Sequence, residues 1–464
     1  MVSSGLAIHA NGNQQFSFWL DRGFPKGAKS DSSCFVKRLE RYIEVVGERC
    51  GALPDRRSGG NVRYTMSDIG LAAFSVFFMQ SPSFLAHQRA LAHGRGRSNA
   101  ETLLGMTTIP SDNHIRQMLD GVPTDHFDGA FATIVKELHE SGGLEPMRRL
   151  GGRTLIALDG SEHFCSRKIH CPSCSTRQRS DGKREYFHSF VGATLVAPGH
   201  ATVLPLPPEF VRREDGAEKQ DCETAAARRW LARLGPAHAW LEPVYVGDDL
   251  YARQPMCKDV LAAGGSFIFV CKPASHKTLT EYVSGVELDG YRETLGKGAA
   301  KRIHHYRWIE GVPLRDGDDA LLVNWLEIVI AKPNGKVTYR NSFVTDLALG
   351  RHNAADIAAA GRARWKVENE TFNVLKNNGY NLEHNFGHGK QTLASVLVAL
   401  NLLAFAIHNA CTLMEPTWQA AWQLLGARTR LFEHIRTITA YLVFPSWDSL
   451  FRSIRTGVPP PQTA

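Results

Sequence analysis

The chain has 464 residues with 54 Lys and Arg against 46 Asp and Glu, a formal net charge of +8 and a pI near 9.0. Its hydrophobic fraction of 43% supports a substantial core with smaller parts attached and excludes a disordered polymer, while nine scattered cysteines exclude a disulfide-dense secreted scaffold. The basic excess favours polyanionic partners through Coulomb steering and counterion release, a property that many basic enzymes share.

Met1 to Leu20 carries Asn11, Asn13, Gln14 and Gln15 where an export signal would need an apolar run, so a reducing cytoplasm is expected. From Cys34 to Glu140 the texture is helical: FVKRLERYIEVVGERC, MSDIGLAAFSVFFMQ and HFDGAFATIVKELHE repeat apolar residues at three and four. Ser67 and Asp68 stand where an N-cap is expected, and Gly142-Gly143 closes the third segment. Between the second and third segments, His87 to Arg97 is a basic stretch with Arg89, His93, Arg95 and Arg97; it reads either as a solvated loop or as a contact for a phosphate backbone.

The texture changes at Arg153. RTLIALDG reads as a strand ending at Asp159-Gly160, FHSFVGATLVAP and ATVLPLP as further strands, CETAAARRWLARLG as a helix, and PVYVGDD as a strand ending in acid. This order predicts an α/β fold. DVLAAGGSFIFVCK adds a helix and a strand, and a β-rich region follows with HHYRWI, LLVNWLEIVIA and KVTYRNSFVTD, the last two joined by a Pro333-Asn334-Gly335 turn. Helical texture returns near Asn353 and lasts to about Arg455. Within it, Leu393 to Ile407 is interrupted by Asn401 and followed by His408 and Asn409, which predicts a buried helix rather than a membrane span. The tail VPPPQTA is expected to be disordered.

Three acids carry the chemistry. Asp159 follows LIAL, Asp248 follows VYVG, and Glu368 lies in the helical segment GRARWKVENETFNVLKNNGY. A lone acid at a strand end is usually a turn or cap residue. Three that converge on one sheet edge can hold two divalent cations through hard carboxylate oxygens, as phosphoryl transfer requires. Asp249 and Glu370 are the rival acids. Arg364, Glu368, Phe372 and Lys376 fall four apart on a helix, a spacing that reads either as one ion pair on a solvated face or as a functional stripe.

LDGSEHFCSRKIHCPSC, YVGDDLYARQP and RARWKVENETFNVLKNNGYNLEHNFGHG resemble the three acidic blocks of bacterial insertion-sequence DDE transposases. The last is similar to the R-x-x-x-E signature, matched by Arg364 and Glu368, of the group with a β-rich insertion between the second Asp and the Glu. Gly361 stands where that signature has Tyr, and its Lys is displaced by one, to Lys376. Tyr251, three residues after Asp248, matches the aromatic residue that follows the family's catalytic acid.

The resemblance implies an RNase H-like catalytic core, with Asp159, Asp248 and Glu368 as ligands of Mg²⁺ or Mn²⁺. Arg364 and Lys376 would hold phosphates and Trp365 would stack on a base. It further implies cleavage of DNA at the element's ends by in-line attack of activated water, then strand transfer by the freed 3′-hydroxyl, performed by a homodimer on double-stranded DNA with no membrane involved. The alternatives are a metal-dependent nuclease that cuts without joining and a non-catalytic DNA-binding descendant of a transposase. The expected organisation is a helical DNA-binding region over 1–150, the first part of the core over 151–260, the β-rich insertion over 261–352, the helical part of the core with the catalytic Glu and the C-terminal helices over 353–455, and a tail over 456–464.

Cys171-Pro-Ser-Cys174 has the spacing of half a structural zinc site within 165–188. A second C-x-x-C is missing, so the remaining ligands would come from Cys165, His170, His188 or Cys222. The other reading is reduced cysteines in a polar loop. Bound zinc would brace the hairpin beside Asp159 without doing chemistry. His384 and His388 have the i,i+4 spacing of a helical zinc pair, but Gly387 and Gly389 oppose a helix; a loop contacting DNA or closing over the site is expected there.

Overall fold

The computed structural model describes residues 38–58, 62–216 and 219–461. The reading of Met1 to Leu20, the first residues of the first expected helix and the last three of the tail lie outside the described residues.

The three-and-four spacing folds as expected in α1 (Arg38–Gly51), which buries Leu39, Tyr42, Ile43, Val46 and Cys50 against α2 (Met66–Phe78). α2 is apolar all round and buried along almost its whole length. Its N-cap is Thr65, not Ser67 or Asp68: the Thr65 hydroxyl accepts from the Asp68 N–H at 2.9 Å. Asp68 instead sits in the first turn, where its carboxylate accepts from the N–H and hydroxyl of both Thr107 and Thr108. The expected basic loop is replaced by α3 (Phe84–Ala92) and α4 (Gly96–Leu104) around a short turn. His87 is a core residue bonded to Ser75 and Ser81, whereas Arg89, His93, Arg95 and Arg97 remain exposed. α5 (Asp112–Leu119) and α6 (Asp128–Glu140) complete this region.

Next come β1 (Thr154–Ser166), β2 (Ser175–Gln178), β3 (Arg184–Val196) and the short β4 (Leu204–Pro205) and β5 (Glu209–Phe210). α7 (Lys219–His238) crosses to β6 (Pro243–Gly247), and α8 (Gln254–Ala262) crosses to β7 (Ser266–Val270). α9 (Lys277–Ser284) leads to β8 (Asp289–Leu295), β9 (Arg302–Pro313), β10 (Leu322–Ala331) and β11 (Val337–Thr345). All belong to one mixed sheet in the order β2-β3-β1-β6-β7-β11-β10-β9-β8, with β4 and β5 on the far side of β3. β1, β6 and β7 are parallel, as their crossover helices require, and the other pairs are antiparallel. The chain is therefore a mixed α/β protein. The β-rich strands extend this same sheet through the pairing of β11 with β7, and the expected turn joins β10 to β11 with Gly335 at φ +83°.

β1 corrects the expected strand end, because it runs past Asp159 to Ser166. β3 continues to pair with it as far as Ser166, whereas β6 stops at Gly247. Asp159 thus sits where β1 keeps one neighbour and loses the other.

α10 (Ala354–Arg362) packs closely against the sheet: a Cβ on Gly361 would lie 2.6 Å from the Phe343 ring. That approach accounts for glycine where the resembled signature has Tyr. The single helix expected over 361–380 is interrupted by a π-helical turn at Val367–Phe372 before α11 (Asn373–Asn377). α12 (Leu393–Met414), α13 (Pro416–Leu425), α14 (Arg428–Tyr441) and α15 (Trp447–Thr456) follow. Among the described residues α12 is the one helix long and apolar enough to cross a membrane, and 89% of its most apolar window is buried inside the protein, against α2 and α6 among others. It is a core helix, as its interrupting Asn401 suggested.

Candidate functional site

The parallel register between β1 and β6 ends at Ala157 opposite Val246; two residues further along each chain come Asp159 and Asp248. Both acids therefore stand where the parallel pairing stops, outside the carboxyl end of β6. The carboxylates of Asp248 and Asp249 differ in their surroundings. Asp249 is turned into the protein, accepting from the Lys272 N–H at 2.5 Å and lying 3.4 Å from His276. Burial opposes its charge, but the hydrogen bonds from His276, Ser275 and Lys272 hold its pKa down near 2. Asp248 accepts a turn hydrogen bond from the Leu250 N–H at 2.8 Å, and its charge acts on Asp159.

The third acid arrives on the π turn. Phe372 lies against Gly192 of β3, where a Cβ would be 2.8 Å from its ring, and meets Phe190 edge-on at 5.7 Å. This seats the turn on β3 and β1 and brings Glu368 within electrostatic reach of Asp159. Glu368 is exposed and lies 3.7 Å from Arg364. Glu370, the rival, interacts with Lys366 instead. The π turn widens the helix, so the expected stripe does not persist: Phe372 is buried, and Lys376 pairs with Glu383 at 2.8 Å. Trp365 is exposed with the Lys366 ammonium over its ring at 5.0 Å.

A fourth acid is present that the sequence reading missed. Glu223 of α7 accepts from the Tyr251 hydroxyl at 2.8 Å, and its carboxylate covers Gly160 so closely that a Cβ there would lie 2.3 Å away. Its only signal in the sequence is an acid in the first turns of the helix that follows the β3 edge strands. Burial pushes the Asp159 carboxyl up to about 7, and the charges of Glu223, Glu368 and Asp248 add to the rise while Arg364 opposes it. Carboxylate oxygens are hard donors of the kind that divalent cations such as Mg²⁺ take. A cavity of about 520 Å³ opens beside Gly160 and Glu223, lined also by Ser161, Glu162 and Arg213 but not by Asp159, Asp248 or Glu368.

Apart from the acids, four soft donors converge. Cys171 and Cys174, in the loop between β1 and β2, meet His188 of β3 and His388 of the loop before α12, all four buried and with their donor atoms within 4.8 Å of one another. This set can hold a metal ion such as zinc. Of the ligands considered from sequence, His188 joins. Cys165 is exposed with its thiol 3.6 Å from Glu185, His170 stacks on Tyr186 with ring centres 4.4 Å apart, and the Cys222 thiol donates to the Gly216 carbonyl. His388, in the loop expected to contact DNA or close over the site, is the fourth donor, and His384 packs on Phe386. The sequence signal for His388 was chemical incompleteness: a C-x-x-C with too few ligands nearby. The cysteines among the described residues are free thiols.

No protein-family model matches the chain, and no characterised protein matches it in sequence.

Proposed function

We propose that the chain is a DDE transposase that cuts DNA at insertion-sequence ends and joins the freed ends to target DNA, using Asp159, Asp248 and Glu368. The observation that carries this reading is the placement of the three acids, Asp159 and Asp248 two residues beyond the last parallel pair of β1 and β6 and Glu368 on the π turn packed on β1 and β3, where burial first and then the charges of Glu223, Glu368 and Asp248 raise the pKa of Asp159. The strand order supports it as well. β4 and β5, β3, β1, β6 and β7 run 3-2-1-4-5 in the sense of an RNase H-like core, with β1, β6 and β7 parallel and helices α7 and α8 as the two crossovers. In that reading β8 to β11 are the β-rich insertion, and β7, which falls inside the 261–352 expected for it, is instead the last core strand, paired in parallel with β6.

The donor type suits Mg²⁺ or Mn²⁺: hard carboxylates, half-buried at Asp159 and Asp248 and exposed at Glu368. Bound there, such ions supply charge stabilisation at the attacking and leaving oxygens of an in-line displacement. Asp159 and Asp248 fix one side of the site from the rigid sheet, while Glu368 closes it from the turn. Arg364, 3.7 Å from Glu368, stands ready to hold a phosphate, and exposed Trp365 can stack on a base; Lys376 would leave Glu383 to join them. Water attacks the phosphodiester with the 3′-oxygen leaving, and that hydroxyl then attacks the target strand with its own 3′-oxygen leaving. No covalent protein intermediate is required. The exposed Arg89, Arg95 and Arg97 offer backbone contacts beside the helical region, and cutting two ends together calls for a homodimer on DNA in a reducing cytoplasm.

Purified protein should cleave a labelled duplex carrying the gene's flanking ends in Mg²⁺ or Mn²⁺ and join it to added target DNA. Asp159→Ala should lose both activities by about 10³-fold or more, since it removes a metal ligand. Cleavage without joining would assign a nuclease; binding with neither, by folded wild-type protein, would assign a non-catalytic DNA-binding protein.

A further inference from the structure

The geometry points to a zinc ion held by Cys171, Cys174, His188 and His388 that acts as a tertiary clamp, fastening the hairpin of β1, β2 and β3 to the loop that leads into α12. The distances carry the assignment. A tetrahedral zinc site with Zn–S of about 2.3 Å and Zn–N of about 2.0–2.1 Å has S···S edges of roughly 3.8 Å and S···N edges of roughly 3.5 Å. Here Cys171 Sγ and Cys174 Sγ are 3.8 Å apart, and His188 Nε2 is 3.4 and 3.3 Å from those two sulfurs. His388 Nε2 lies 3.5 Å from Cys174 Sγ. Two thiols and two imidazoles are soft and borderline donors, which select zinc over Mg²⁺ or Ca²⁺, and four protein ligands leave no open position for chemistry. His388 Nδ1 donates to the Gly389 carbonyl at 3.1 Å, a bond that fixes the tautomer and leaves Nε2 free to ligate.

The clamp joins parts far apart in the chain. Cys174 and His388 are separated by 214 residues. On one side the ion holds the continuation of β1, the strand that carries Asp159. On the other it holds the loop that follows the π turn of Glu368. The same loop is gripped from the N-terminal helices. Asp120, just beyond α5, accepts from the N–H groups of Lys390, Gln391, Thr392 and Leu393 at the start of α12, and Arg116 donates to the Phe386 carbonyl at 2.9 Å. Zinc thus completes a connection from α5 through the loop to the catalytic-side sheet. Its binding is independent of what the acids do.

The test uses the full chain. Metal analysis should find about one zinc per chain, and replacement by Co²⁺ should give the absorption of a tetrahedral site with thiolate ligands. His388→Ala should weaken zinc binding at least about 100-fold in chelator competition, whereas Cys165→Ser and His170→Ala should leave it unchanged. His388→Cys guards against simple misfolding: it should keep zinc and strengthen the thiolate-to-cobalt absorption. A zinc-selective chelator should speed amide exchange in residues 384–392 of the wild type by about tenfold or more, through loss of the clamp. Absence of zinc from folded protein supplied with the ion would overturn the proposal. So would wild-type zinc affinity in His388→Ala, which would assign a knuckle local to the hairpin.

Discussion

At the scale of single residues, the buried acids divide by partner. Asp68 and Asp249 are enclosed by donors and keep their charge, the first at two consecutive threonines and the second at Lys272 and His276. Asp159 is half-buried, and the charges of Glu223, Glu368 and Asp248 act against its own while Arg364 favours it. Glu415, at the start of α13, is a third case: burial pushes its carboxyl up to about 7, Arg38 opposes the shift, and Glu40 and Asp448 reinforce it. Its folded pKa lies above the ordinary glutamate value of 4.5, so its contribution to stability is present below about that pH and is lost as pH rises through about 7. Glu415→Gln should therefore match the wild type near the lower value and exceed it above the upper by roughly 1–2 kcal/mol, allowing for residual solvent screening. Urea unfolding of both proteins at pH 5 and pH 8 checks this, and a difference that shrinks with rising pH would contradict it.

At the scale of elements, the π turn is the feature on which the acidic edge depends. Its closest seat is the contact between Gly192 and the Phe372 ring, beside the edge-on meeting of Phe372 with Phe190 and a hydrogen bond from the Thr371 hydroxyl to that of Thr194 at 3.4 Å. Gly192→Ala should cost about 1–3 kcal/mol by overpacking. It should also lower cleavage by about tenfold or more beyond the loss of folded protein, because displacements near 1 Å at a reacting centre cost rate steeply. Adding Phe372→Leu should return part of the stability by removing the clashing ring atoms. Urea unfolding and cleavage rates of the single and double variants test the coupling; additive effects in the two variants would separate the contact from the site.

At the scale of the whole molecule, the net charge of +8 and the exposed arginines of α3, α4 and their turn set the expected behaviour toward DNA. Binding by Glu368→Gln, which keeps the basic surface and lacks the third carboxylate, should fall about 10³-fold between roughly 50 and 200 mM salt if about six phosphates are contacted. Fluorescence anisotropy of a labelled duplex measures the slope. Affinity that does not change with salt would exclude a phosphate-tracking surface.

The signals legible in the sequence are local. Apolar spacing marked α1, α2, α6 and α12; β-branched runs marked β1, β3, β6, β7 and β9 to β11; and the Pro333-Asn334-Gly335 turn marked the hairpin, because each signal lies within one element. The two strand acids were visible for the same reason, and so was the C-x-x-C. Tertiary structure alone decided the rest. It extended β1 past Asp159 because β3 pairs beyond the point where β6 stops. It converted the helical stripe at Glu368 into a π turn seated on Gly192, turned Asp249 inward, and brought Glu223 over Gly160. It also brought His388 to cysteines more than 200 residues away, so that an incomplete local motif became a four-donor site. These outcomes depend on which distant surfaces meet, and neither residue spacing nor propensity encodes that.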